Sequence, residues 1–160
     1  MKKAIKLLIL VLVLPVLLSG CRANKRINQD YEYIEEIGNQ IVRCFDEKDA
    51  EGLKAMFSLS SHKNCNLDEQ IENAFEKYEG KSVSFVTTNR SVMEYSMREG
   101  KYTKKHFIPQ IDDIVTDTSN EYVIGFALYQ VYENWPEKEG IIVVVLRDSQ
   151  ENELAVIGGE

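Results

Sequence analysis

From Ile34 onward the spacing of apolar residues changes at Lys81, and that change limits the fold more than any other feature. Before it, apolar side chains recur every three or four positions, the repeat of a helix with one buried stripe. Ile34, Ile37, Ile41, Cys44 and Phe45 form such a stripe, and Asp30 is placed to cap the helix that carries it, which runs to about Asp46. Asp49 caps a second, shorter helix with Leu53, Met56 and Phe57 on one side. Ser58 to Asn64 reads as a polar loop holding His62. Asn66 with Glu69 then has the form of a capping box, opening a third helix in which Leu67, Ile71, Ala74, Phe75 and Tyr78 recur until Gly80 supplies a stop.

Beyond Lys81 the repeat falls to two residues, the signature of a half-buried strand. Ser82 to Thr88 is rich in β-branched and aromatic residues. Lys101 to Val115 reads as a strand interrupted by Pro109, which has no N–H to donate and so favours an edge or a bulge. After a turn at Thr116 to Asn120, Tyr122, Ile124, Phe126, Leu128 and Tyr132 fall on alternate positions. Asn134 to Gly140 is the loop joining this strand to the apolar run Ile141 to Leu146, and Leu154 to Ile157 makes a last short strand. Helices first and antiparallel strands afterwards define an α+β class, with N-terminal helices packed on one face of a curved antiparallel sheet.

Ahead of this lies an address. Lys2, Lys3 and Lys6 precede the apolar run Leu7 to Leu18, which is shorter than the roughly 20 residues that cross a bilayer and has the form of an export signal. Leu18-Ser19-Gly20-Cys21 has the form of a lipobox. The spacing therefore predicts a signal peptide over 1–20, a lipidated N-terminus and linker over 21–29, and one α+β domain over 30–160. Acylation of Cys21 would hold the mature chain on the extracytoplasmic face of the cell membrane, as a lipoprotein. Arg22, Lys25 and Arg26 would then lie near anionic headgroups, or serve as a plain polar linker.

Removing residues 1–20, which hold three lysines and no acid, takes the formal charge from −7 to −10. An acidic domain argues against nucleic acid as a partner, because phosphate binding needs clustered cations. Cys44 and Cys65 remain after lipidation and permit one disulfide in an exported chain, although Cys44 also fits the buried stripe of the first helix. With His62 and His106 as the two histidines, no four-ligand zinc set can be assembled at a standard spacing, and no motif calls for a cofactor.

Three stretches resemble a family of uncharacterised lipoproteins from Firmicutes, domain of unknown function 5104: Asp49 to Ser58 (DAEGLKAMFS), Leu67 to Ile71 (LDEQI) followed by Phe75 and Gly80, and Gly100 to Lys104 (GKYTK). The resemblance implies a cone similar to nuclear transport factor 2 and the cystatins, in which helices close over a bent sheet and leave a pocket. It also implies that Gly158-Gly159-Glu160 starts a terminal segment that continues further in similar proteins.

The expected function is a non-enzymatic binding or interaction module, taking an unknown small ligand or an envelope protein. Tyr129, Tyr132 and Trp135 are the aromatic candidates for its pocket. The alternative is an isomerase-like or hydrolase-like enzyme using the same cavity, with His106, Asp112 and Asp113 as candidate acid–base groups. No nucleophile elbow, metalloprotease helix or phosphate loop supports catalysis.

Overall fold

The computed structural model describes residues 28–159, with the backbone alone at residues 88–92. The predicted signal peptide, Cys21 and the basic residues beside it lie outside the described residues. One unit extends to Tyr33; within it residues 28–33 are helical, so Asp30 lies inside a helix and does not cap it.

In the unit that begins at Ile34, α1 covers residues 34–47, α2 Ala50–Ala55, α3 Leu59–Asn64 and α4 Leu67–Lys77. Five strands follow: β1 Ser82–Arg98, β2 Lys101–Thr116, β3 Glu121–Tyr132, β4 Gly140–Asp148 and β5 Glu153–Gly158. They form one antiparallel meander in the order β1-β2-β3-β4-β5. The expected α+β class, with helices ahead of an antiparallel sheet, is thus observed.

Helix α1 buries the predicted stripe at Ile34, Ile41, Cys44 and Phe45. Gly38 on the same side lets the helix come close to the sheet: a Cβ there would meet Thr87 Oγ1 at 2.8 Å. Thr87 pairs with Ile111, Ile111 with Ile124 and Ile124 with Leu146, so these residues share the helix-covered face. Helix α2 begins as expected, with the Asp49 side chain accepting from Gly52 N at 2.9 Å. The expected loop over 58–64 is instead helix α3. Ser58 caps it by accepting from Ser61 N, and Ser58 and Ser61 are fully buried with their hydroxyls 2.9 Å apart. A serine-rich run reads as loop because its hydroxyls compete for backbone groups; here they bond each other and the cap instead. Asn66 donates its side-chain amide to the Glu69 carboxylate and makes no cap bond to the backbone, so a side-chain pair stands where the capping box was expected.

The ends of α1, α4 and β1 are tied together by polar groups. Asp46 accepts from the Tyr78 hydroxyl at 3.0 Å, from Ser82 N at 2.8 Å and from the Ser82 hydroxyl. Burial, and after it the Asp46 charge, push the Tyr78 hydroxyl far above its ordinary value, so it stays a donor. Lys48, at φ +54°, gives its ammonium to the Phe75 and Tyr78 carbonyls and satisfies the end of α4. Beneath them Phe45 makes edge-to-face contacts with Phe75 at 5.3 Å and Tyr78 at 5.2 Å. On the other side, Gly140 at φ +114° brings β4 against the α2–α3 junction, where Ile141 N bonds Met56 O and Ser58 N bonds Ile141 O.

One strand expectation needs correction. Strand β1 does not stop at Thr88 but runs to Arg98 and turns back through Glu99 and Gly100, both at positive φ. Met93, Tyr95 and Met97 alternate there with Glu94, Ser96 and Arg98, a two-residue repeat present in the sequence. Of the edge or bulge expected at Pro109, the second is observed, since β2 lies between β1 and β3. The missing N–H shows as an irregularity, since the β1–β2 register shifts between Thr88 and Val92, opposite Pro109.

Candidate functional site

Tyr129 and Tyr132 are three residues apart, and in a regular strand they would face opposite sides. A bulge brings them together. Lys105 pairs with Val131 and His106 with Tyr129, so Gln130 is an extra residue with no partner in the ladder. Its side chain is used all the same, accepting from Lys105 Nζ at 3.0 Å. The alternation that put Tyr132 with Ile124, Phe126 and Leu128 is therefore broken at Gln130. Tyr132 lies on the opposite face, turned away from the helices.

That face carries one continuous row. His106 stacks on Tyr129 with centroids 4.4 Å apart and planes 21° apart, Tyr129 leans on Tyr132 at 4.7 Å, and Tyr132 meets Trp135 edge to face at 5.1 Å. The row is held at its far end by backbone geometry: Trp135 N bonds Tyr132 O, and Tyr132 N donates to Glu139 Oε1 at 2.8 Å. Trp135 is 49% exposed, whereas the His106 side chain is 15% exposed. So the row is closed at the imidazole end and open at the indole end.

Two charged residues lie along it. Lys104 Nζ sits 5.7 Å from the Tyr129 centroid and 5.6 Å from that of Tyr132, within cation–π range, and pairs with Glu94 Oε2 at 2.8 Å. The same carboxylate oxygen lies 3.6 Å from His106 Nδ1, too far for a direct hydrogen bond but near enough to feel its charge. The hydrogen bond from Lys104 and its charge hold the Glu94 carboxyl below its usual range, and Glu94 in turn raises Lys104. Burial lowers His106, the Lys104 charge lowers it further, and Glu94 acts in the opposite sense. His106 Nε2 is buried with no hydrogen-bond partner.

The predicted acid–base groups are not brought together. Asp112 lies six residues along β2 from His106, roughly 20 Å at about 3.3 Å per residue, and accepts from Gln110 Nε2 at 2.5 Å. Asp113 is exposed, at φ +53°, inside the register shift between Ile111 and Ile114. The carboxylate beside His106 is Glu94, on the part of β1 that extends beyond the strand expected over Ser82 to Thr88. Two open concavities, of about 440 and 590 Å³, lie elsewhere, and neither is lined by His106, Tyr129, Tyr132 or Trp135.

Cys44 and Cys65 are not joined. Cys44 is 1% exposed in α1, and burial, followed by the Asp49 charge, raises its thiol. Cys65 follows α3 with its sulfur 3.7 Å from Gly159 O. Alkylation of the denatured, unreduced protein is therefore expected to label both cysteines, and before denaturation Cys65 is expected to react well ahead of Cys44. A Cys44–Cys65 linked peptide in the mass spectrum would contradict this. His62 lies in the last turn of α3, exposed, and among the described residues no three His, Cys, Asp or Glu side chains converge as a metal site would require. No helix among the described residues is long and apolar enough to cross a membrane.

The class is thus an antiparallel meander, covered on one face by helices, that carries a charged aromatic row on the face turned away from the described helices. The chain belongs to the family described as Domain of unknown function (DUF5104), whose model matches residues 40–148. It is also similar to histidine–tRNA ligases of Methanococcus maripaludis, at 25% identity over 146 residues for strain C6 and 24% for strain C7. These matches cover 85% of this chain and 33% of each ligase, so the chain spans about a third of the length of the curated relatives it matches.

Proposed function

We propose that this protein is an extracytoplasmic lipoprotein, held to the cell membrane through Cys21 after removal of a signal peptide over 1–20, and that it is a non-enzymatic binding module. The observation that carries the binding reading is the row His106, Tyr129, Tyr132 and Trp135, built by a bulge onto the sheet face turned away from the described helices, with its indole half-exposed. Aromatic groups with a polar edge give large contact area at low entropic cost, which suits recognition. Catalysis is less well supported. His106 Nε2, the atom a general base would use, is shut off from solvent, and Asp112 and Asp113 are remote from it. Helices preceding a bulged meander also support a fold similar to nuclear transport factor 2 and the cystatins.

Both halves are testable in the native host. Growth with an alkyne analogue of palmitate is expected to label the protein, and Cys21→Ser to abolish the label and move the protein from the membrane fraction to the medium or to the unprocessed form. An unlabelled wild type overturns the anchor. Trp135 is the chain's single tryptophan. Its emission is expected to change saturably on titration with membrane, wall or periplasm-facing fractions of the host, and Tyr132→Ser is expected to weaken that response at least tenfold. No saturable response to any fraction overturns the binding reading.

A further inference from the structure

We propose that His106 is an acid-operated latch on this surface: taking up a proton drives the imidazole out of its stack on Tyr129 and loosens the row through Tyr132 to Trp135. This rests on the binding reading above and adds a control to the same site, in a part of the molecule that the family assignment leaves without a role.

The geometry permits one protonation state comfortably and not the other. Among the described residues, the charged and titratable groups that face His106 are Glu94 from β1, Lys104 from its own strand and Tyr129 and Tyr132 from β3. Glu139 lies at the far side of Tyr129, with a carboxylate oxygen already accepting from Tyr132 N. A neutral ring needs little here. Its Nδ1 side faces Glu94, its plane lies on Tyr129, and the buried Nε2 of a neutral ring is an acceptor left idle, a tolerable loss. The imidazolium instead buries an N–H donor with nothing to accept from it, which costs far more in a site closed to water. It also sets a second cation beside Lys104, and both must share the one carboxylate of Glu94.

The sign of the pH effect follows from linkage. Because burial and Lys104 hold the closed-state imidazole below its ordinary value, the stacked arrangement is at full strength above about pH 6.5 and weakens as pH falls past that point. The weakening saturates once His106 in the stack is itself protonated. A ring released to water takes its proton readily, so acid favours whichever arrangement frees it. Since Tyr129, Tyr132 and Trp135 are in contact in series, release at one end changes the packing at the other.

The test uses the full chain in detergent micelles and needs neither a ligand nor a lipid. Trp135 emission is followed from pH 8 to pH 4, while the His106 ring is followed by proton–carbon NMR in a His62→Gln background that leaves one histidine signal. The expected result is a single sigmoidal change in emission whose midpoint coincides with that of His106 and lies below the ordinary imidazole value. In His106→Gln the change is expected to be lost. Glu94→Gln, which keeps the side chain's size, is expected to move the midpoint lower, because the carboxylate that favours the imidazolium is gone. An emission change that survives in His106→Gln, a His106 titration without an emission change, or a Glu94→Gln midpoint that stays or rises would each overturn the latch. If His106→Gln does not fold, the Glu94→Gln shift decides alone. Failure here leaves the binding titrations intact, and failure of those titrations leaves this pH response intact.

Discussion

Phe45→Ala is expected to destabilise the domain by about 4 kcal/mol, the usual range for removing a buried phenylalanine, and to lower its melting temperature by about 15 °C for a chain of this size. Phe45 is fully buried at the point where α1 meets the end of α4. Its ring makes edge-to-face contacts with both Phe75 and Tyr78, and such pairs add to the burial of apolar area. The site has little freedom to collapse around a void. Tyr78 is pinned by its hydrogen bond to Asp46, and Lys48 clamps the Phe75 and Tyr78 carbonyls. Phe45→Leu keeps most of the volume and is expected to cost less than half as much. Urea titrations with a common slope would give both values, and a loss below about 1.5 kcal/mol for Phe45→Ala would mean the cluster is not packed as described.

Two single-residue deletions in β3 are expected to behave in opposite ways. Gly125 is paired on both sides, with Gln110 in β2 and Val145 in β4, between the buried side chains of Ile124 and Phe126. Removing it reverses the facing of at least Phe126, Ala127, Leu128 and Tyr129, taking Phe126 and Leu128 out of the core, so cooperative unfolding is expected to vanish. Gln130 is the extra residue of the bulge. Without it, the pairs Lys105 with Val131 and His106 with Tyr129 become neighbours in a regular ladder, and Tyr129 and Tyr132 still share a face two residues apart. That deletion is expected to cost only the Lys105–Gln130 hydrogen bond and the local twist, about 2 kcal/mol for a bond from a charged group, and to leave Trp135 emission near that of the wild type. Loss of the fold in the Gln130 deletion would show that the bulge is not where the register places it.

Much of the helical layer was legible because its information is local. A stripe such as Ile34, Ile41 and Phe45, or a cap such as Asp49 on Gly52, is set by residues three or four apart, and the structure reproduces both. The strand over 121–132 was legible from its two-residue repeat and that over 101–116 as a run broken at Pro109, and the second half of β1 carried the same repeat in Met93, Tyr95 and Met97. Helix α3 was not legible. Its serines become helix formers only because burial against the β4 junction pairs their hydroxyls with each other.

The candidate site was legible in its members and not in its assembly. Tyr129, Tyr132, Trp135 and His106 were all singled out, but as a pocket and an acid–base set, not as one row. By itself the sequence determined the order of helices and strands, the apolar faces and the acidic balance, because periodicity and composition are properties of neighbours along the chain. Only the tertiary structure decided that Glu94 meets Lys104 and His106, that Cys44 and Cys65 stay apart, and that Tyr132 crosses to the face turned away from the described helices. Each of these depends on pairing register between distant strands, and one unpaired residue, Gln130, is enough to turn a side chain from one face of a sheet to the other.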